Sequence, residues 1–551
     1  MKISTRAIPF QQTLMVSTVL SSCALFFPQM ALAQNSYGCE PSGDTCIFDN
    51  GTTTDKPFLY TSNGSAGSGD TPGGNGGGGT FVYNSDIDVS LPGDGNPSNY
   101  LYGTWVNTVG GNGSSNGPSA GGQGGDLTIT PPSSATYTIN EYASTAYEME
   151  AARFISTGGN GNDDNSNNKS NGGAGGAGGN VTYNGEASSN TILTSISGVT
   201  GPGTIAALRV SSIGGTGGRG NEGANFMPLG GNGGAGGTVQ VDVGNIVTGS
   251  ADNPLTAQSV YGVWGQSAGG RGPNAYNSSN GETQGGGGSS TGGAGGSVTL
   301  TANYSVTAFG QATDGAFRGV YAESTGGDGG YSYDVGVDSN FAPGGAGGVG
   351  GAVDVNVFGS ARATQSGTIA STDQSGTIVA ISTGGTGGVG QHGEPGGNGG
   401  AGGSVTVSMP ASTFSSDGIA VLAAGTAVDG ILAVSQGGTG GAGLSNANDS
   451  RGGNGGNAGD VSVTLDITAD QSIKAEASSA GNDSGRGVVA QSIGQFGGDG
   501  GAGNVVFGSP GSAGGGGNGG TVDVTLTSGV ITTDGTNRIG SKLDFAHGIL
   551  A

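Results

Sequence analysis

Thr238-Val239-Gln240-Val241-Asp242-Val243 sets a β-branched apolar residue at every second position, with a polar residue between. A period of two sends successive side chains to opposite faces, so the stretch reads as a strand with one buried face. The alternation returns at Ser404-Val405-Thr406-Val407-Ser408-Met409 and at Thr521-Val522-Asp523-Val524-Thr525-Leu526. Comparable runs begin at Leu127, Val181, Val298, Val353 and Val461, and Phe81-Val82-Tyr83 begins a degenerate first copy. From Val239 through Val298, Val353, Val405 and Val461 to Val522 the copies lie about 57 residues apart on average, a spacing typical of repeat arrays.

A second block precedes this one in each repeat and reads Gly-aliphatic-aliphatic-Ala-x-Ser-x-Gly-Gly. Its copies include Gly262-Val263-Trp264-Gly265-Gln266-Ser267, Gly319-Val320-Tyr321-Ala322-Glu323-Ser324, Gly430-Ile431-Leu432-Ala433-Val434-Ser435 and Gly487-Val488-Val489-Ala490-Gln491-Ser492. Looser copies pass through Tyr102, Ala152, Ala207 and Val379. Between the blocks lie G-G-x-G-G runs, some with insertions such as Asp163-Asp164-Asn165-Ser166-Asn167-Asn168, which are loops by composition. These loops are expected to be mobile unless their backbones pack on one another. A stretch such as Val530-Ile531-Thr532-Thr533-Asp534-Gly535 predicts a third short strand. The repeat serines, Ser267, Ser324, Ser435 and Ser492, either stack as an internal hydroxyl ladder or face solvent.

Two or three short strands per unit and no helical period predict an all-β fold, a repetitive parallel β-helix (solenoid) with long glycine-rich loops. With 127 Gly and 6% aromatic residues, the chain is not an ordinary globular domain with one large core. Collagen fails too. Gly396-Gly397-Asn398-Gly399-Gly400-Ala401 holds the triplet, but such runs break after a few turns and lack the proline of a triple helix. One unit does not fold alone: six buried aliphatics contribute roughly 9–18 kcal/mol, against roughly 12–24 kcal/mol for fixing about 12 strand residues. Stacked units bury each other's faces, so stability accrues with copy number.

The first 33 residues have the parts of a secretory signal peptide. Lys2 and Arg6 precede an apolar stretch from Leu14 to Phe27, Pro28 breaks it, and Ala31-Leu32-Ala33 places small residues before a cleavage site between Ala33 and Gln34. Leu20-Ser21-Ser22-Cys23 loosely matches a lipoprotein site, but Cys23 lies inside the apolar run. The expected organisation is therefore a signal at 1–33, an N-terminal segment at 34–72 and the repeat array at 73–551. Cys39 and Cys46 remain after cleavage and are expected to close one small disulfide loop in an oxidising compartment. With Lys2 and Arg6 gone, 39 acidic residues stand against 13 basic ones, a net charge of −26 in place of −24. That excess disfavours nucleic acid and anionic lipid as partners. Ala546-His547-Gly548-Ile549-Leu550-Ala551 opens another copy of the second block and stops before its Ser, so the sequence is read as a fragment.

Catalytic chemistry is hard to find. His392 sits in a loop insertion, Gly390-Gln391-His392-Gly393-Glu394, and His547 near the end. Gly265-Gln266-Ser267-Ala268-Gly269 matches the nucleophile-elbow pattern, yet Ser267 is a repeat serine and a chance hit is expected at this glycine content. Gly327-Asp328-Gly329-Gly330 and Gly498-Asp499-Gly500-Gly501 are similar to calcium-binding β-roll turns but lack the nine-residue spacing, which leaves only weak binding at Asp163 and Asp164 to consider. No cofactor or metal is expected. Asp242, Asp354 and Asp523 read as solvent-facing members of the alternation that limit edge aggregation. Trp105 and Trp264 are expected inside the β-helix, with an outward, adhesive position as the alternative.

The combination of the Ala-Leu-Ala signal, the strand block Gly487 to Gly494 and loops such as Gly396-Gly397-Asn398-Gly399-Gly400-Ala401-Gly402-Gly403 resembles the passenger region of Gram-negative autotransporters, over residues 34–551. Mycobacterial glycine-rich proteins share the triplets, but their helical N-terminal domain has no counterpart here. The autotransporter resemblance implies a surface-displayed or extracellular stalk or adhesin without turnover. Its partners would be a host or neighbouring cell surface, or further copies of itself. It also implies a C-terminal translocator barrel, and no series of about 10-residue amphipathic strands follows these repeats; attachment to the outer membrane would run only through such a translocator. The competing readings are a polysaccharide-acting enzyme on a β-helix and a disordered secreted protein.

Overall fold

A computed structural model describes residues 40–550 with gaps, the longest at 92–99, 141–147, 164–170, 221–228, 333–342, 367–373, 477–484, 502–510 and 535–548; residues 1–39 and 551 lie outside the description. Ser36–Ala551 forms one compact unit. The described elements are all strands, and they assemble as a parallel β-helix of three long sheets.

One coil shows the plan. Val239–Val243 belongs to the first sheet, Asn245–Thr248 to the second and Ser259–Ala268 to the third. The chain then leaves through a glycine run, returns through another and re-enters the first sheet at Val298–Ala302. The repeat strands along each sheet pair in parallel with their copies one coil away, so Val239, Val298, Val353, Val405, Val461 and Val522 stand in a single column. The alternation has the consequence expected: in Val298–Ala302, Val298, Leu300 and Ala302 are buried, while Thr299 and Thr301 are partly exposed. Side chains from all three sheets meet in one continuous core. Val530–Asp534 is a strand of the second sheet, as its Thr-rich stretch predicts. At the N-terminal end an antiparallel strand, Glu40–Ser42, covers Thr45–Phe48 of the first sheet.

The glycine of the second block marks a bend. In the third sheet Ala206 pairs with Tyr261 and Leu208 with Val263, and the pairing skips Ala207 and Gly262 between them while the register is kept. A Cβ on Gly262 would strike the backbone of Gly319 one coil on.

The glycine runs are not loose connections. They lie in two hydrogen-bonded rows, outgoing and returning, beside the β-helix. Gly214 donates to Ala268, the last residue of the next coil's third-sheet strand, and Gly217 to Arg271 in the outgoing run that follows it (2.8 and 2.9 Å). Gly215 and Gly218 donate across the rows to Gly176 and Gly173 of the coil before (2.8 and 2.7 Å). In the returning run Gly233 and Gly236 donate to Thr291 and Ala294 of the next coil, and Gly231 and Gly234 to Gly218 and Gly215 of their own. Bond directions repeat every three residues and none of these bonds falls within a run, which is the pattern of an extended, three-residue-per-turn helix of polyproline-II type. A Cβ on Gly215 would overlap the carbonyl of Gly159, and one on Gly234 that of Gly176. Backbone conformation is not the reason for glycine here. The positive-φ glycines among the described residues are Gly249, Gly393, Gly418, Gly425 and Gly529, none of them in the packed rows. The condition attached to the expectation of mobility, packing of backbone on backbone, is met. The triplet rejected as collagen does specify an extended helix, laid in two flat rows by one chain.

The third residue of each triplet faces outward, and its N–H has no glycine to bond. Where the preceding coil carries an Asn or Asp at that position, its side chain supplies the acceptor. Asn160 Oδ1 accepts from Thr216 N (3.0 Å), Asn180 from Thr238 N (2.9 Å), Asn232 from Thr291 N (2.9 Å) and Asp328 from Thr386 N (3.0 Å). The repeat serines act at the inner end of the slab. Ser267 Oγ accepts from Gly296 N and donates to Gly237 O, both at 2.8 Å, and so ties the returning runs of two coils to the third sheet. Ser212, Ser324, Ser382, Ser435 and Ser492 repeat this contact. These serines bond backbone rather than one another.

Candidate functional site

The third sheet differs from the other two because both of its faces are shielded. Its inner residues enter the main core, and its outer face carries a second cluster of Ala206, Tyr261, Tyr321, Val379, Ile381, Leu432, Val434 and Val489, with Trp264 packed against it. Parallel register builds this face in columns. Trp105, Arg153, Arg209, Trp264 and Tyr321 occupy one position in five successive strands.

The chemistry gathers at the N-terminal half of that column. Arg153 bridges Glu148 and also reaches Glu150 at 3.3 Å, while Arg209 reaches Glu150 at 3.3 Å and Glu148 at 3.7 Å. Arg209 donates onward to Gln266 Oε1 (3.2 Å), and Gln266 donates to Glu323 Oε2 (3.2 Å). The guanidinium of Arg209 lies 3.9 Å from the ring centroid of Trp264, and that of Arg318 lies 3.9 Å from Tyr321. Tyr261, Trp264 and Tyr321 form a triangle of rings: Tyr261 stacks on Trp264 at 4.8 Å and on Tyr321 at 5.7 Å, and Trp264 and Tyr321 lie 5.8 Å apart. Glu150 is fully buried, and burial pushes its carboxyl above the usual range despite Arg153 and Arg209. Burial also acts on Glu148, but Arg153 and Arg209 outweigh it and hold that carboxylate below the usual range. Buried Glu150 Oε2, Arg153 Nε and Trp264 Nε1 have no hydrogen-bond partner among the described residues. The arrangement is a closed ion-pair and cation–π network spanning successive coils, a pattern that fixes register as readily as it serves a ligand.

The residues singled out by the sequence fall elsewhere. Ser267 is fully buried in a strand with its hydroxyl engaged at both ends, so it forms no nucleophile elbow. Asp328 accepts from Thr386 N and pairs with Arg271 at 3.1 Å; Asp163 accepts from the N–H of Arg219 at 2.7 Å. No group of three or more His, Cys, Asp or Glu side chains gathers among the described residues. Asp354 is half-buried and Asp523 exposed, but Asp242 departs from its expected solvent position: it is buried and accepts from Gln240 Nε2 at 2.9 Å. Trp105 and Trp264 lie on the outer face of the third sheet instead of inside the β-helix, each half-buried. Cys46 is buried and disulfide-bonded in Thr45–Phe48, the strand that pairs antiparallel with Glu40–Ser42. Cys39, Ala33, Gln34, Asp164, His392 and His547 lie outside the described residues.

The Glu148–Glu150–Arg153–Arg209 network went unnoticed in the sequence. The available signal was Glu148-Met149-Glu150, two carboxylates on one face of a strand, with Arg153 and Arg209 at matching positions of two degenerate blocks. No family model, curated protein or solved structure matches the chain.

Proposed function

We propose that this chain is an exported, surface-exposed or secreted repeat protein of the autotransporter-passenger kind, with a structural and adhesive role and no catalytic activity. The observation that carries the reading is the five-track lock between coils: three parallel sheets and two glycine rows bond each coil to the next. Such a stack projects long flat faces at constant spacing and holds its polar groups in coil-to-coil bonds, which suits a stalk or adhesive surface better than a deep active site. The N-terminal 33 residues supply the export address, and Cys46 in a disulfide fits an oxidising compartment.

The test is to express the chain in a Gram-negative host, sequence the N-terminus of the exported product, and coat beads with the purified protein. Export with a new N-terminus at Gln34, and bead adhesion to host cells, matrix or one another, is the expected result. Retention in the cytoplasm, or beads no stickier than those carrying an unrelated β-helix, would overturn the reading. The polysaccharide-acting alternative draws on the carboxylates, arginines and tryptophans of the third sheet. Release of reducing ends from a polysaccharide, abolished by Glu148→Gln, would favour it instead.

A further inference from the structure

The returning glycine row has an outward groove of about 490 Å³ near the last described coils, with Asn398, Asn454, Asn457, Gly455, Gly515 and Gly516 among its lining residues. Its chemistry follows from the Asn columns. Asn398 Oδ1 accepts from Asn454 N (2.8 Å), Asn454 Oδ1 from Gly515 N (2.8 Å) and Asn457 Oδ1 from Asn518 N (2.8 Å). A backbone N–H can meet only the oxygen of an amide, so these bonds fix which way each carboxamide is turned. The Nδ2 side of each is left without a bond among the described residues. All three side chains are exposed. The groove therefore presents carboxamide donors beside the remaining lone pair of each Oδ1, two of these amides one coil apart, at about 4.8 Å, and the third displaced by one triplet, roughly 9 Å along the run. Glycine keeps the floor flat, and at Gly515 and Gly516 a Cβ would meet nothing closer than 3.4 Å, so the opening is not a packing requirement.

We infer that this groove binds a neutral glycan chain, whose hydroxyl and ring oxygens accept hydrogen bonds from Asn398, Asn454 and Asn457. The net charge of −24 repels anionic polymers, which separates a neutral polyol from a sulfated or uronic one. The inference rests on the adhesive reading for its biological setting and supplies that reading with a ligand class.

A substitution exists that removes the donors and spares the fold. Asp already fills the ladder position elsewhere: Asp460 Oδ1 accepts from Thr521 N at 2.7 Å, as Asp328 does from Thr386. Asn→Asp thus retains the acceptor that the coil above needs and deletes Nδ2. The experiment measures binding of the purified, exported chain to immobilised neutral hexasaccharides of glucan, mannan and chitin type, with heparin as the anionic control. Binding to at least one neutral hexasaccharide is expected, weakened tenfold or more in Asn398→Asp/Asn454→Asp/Asn457→Asp and unchanged in Asn160→Asp, a ladder residue outside the groove. If the triple variant melts early because adjacent carboxylates repel, Asn457→Asp alone provides the reading, with a threefold or larger loss. No neutral saccharide binding, a preference for heparin, or binding indifferent to these variants would overturn the inference. Beads that adhere to cells while every hexasaccharide fails would sink the groove and leave the adhesive reading standing; saccharide binding without cell adhesion would do the reverse.

Discussion

The strands and the glycine rows of one coil solve the same packing problem in opposite ways. In the strands, side chains fill the interior: Val353, Val405 and Val407 are fully buried, and the backbone only spaces them. In the rows, backbone packs on backbone and the space a side chain would need holds a neighbour's carbonyl. Loss of atoms is therefore the hazard in the first region, and gain of atoms the hazard in the second. Substitutions of similar chemical size should separate the two sharply, and the readout is local protection free energy by hydrogen exchange, because a stacked array need not unfold as one unit.

The largest effect is expected at Gly234→Val, whose side chain must displace the carbonyl of Gly176 in the coil below. A loss of 4 kcal/mol or more across the affected coils would place it in the exceptional class of single substitutions, about 4–5 kcal/mol and above. If Gly234→Val costs less than a core truncation, the comparison fails. Next comes Arg209→Met, which strips the buried Glu150 of one of its two guanidinium partners and Trp264 of its cation; about 3 kcal/mol is expected, centred on Glu148–Thr157 and Ser259–Ala268. Val407→Ala should cost about 2 kcal/mol through a cavity in the strand column, and it sets the scale for the strand region. Ser267→Ala leaves Gly237 O and Gly296 N without their partner where slab and sheet join, at about 1–2 kcal/mol. The smallest change, within about 0.5 kcal/mol, is expected at Gly515→Ala, where the added methyl has room. A large loss there would mean that conformational freedom, not close approach, is what glycine provides in these rows.

The third sheet blends the two regions and was harder to read. The Gly-Val-Trp-Gly-Gln-Ser block announces a strand, and Val263 is buried on its inner side as the pattern implies. Its outer side was undecidable in sequence. Trp264 meets Arg209 and Tyr321, and Arg209 meets Glu150 from 59 residues away, because parallel register aligns positions that variable insertions disguise. Asp242 misled for a related reason: the strict alternation assigns it to solvent, but Gln240 beside it on the same face bonds and shields it.

What the sequence determined by itself was the coil: alternating valines name the buried face of each strand, and their recurrence near every 57th residue names the stack, since burial of one face and repetition are local properties. What only the tertiary structure decided was the state of the glycine runs and the duty of the residues between them. A glycine carries no side chain to reveal its neighbour, and the partners of Gly215 and Gly234 lie on other runs, some of them in another coil. The same Gly-Gly-Asn triplet would serve a mobile loop equally well. It becomes a packed slab here because the β-helix first sets successive coils side by side, and at that spacing bare backbone can bond to bare backbone only where no Cβ intervenes.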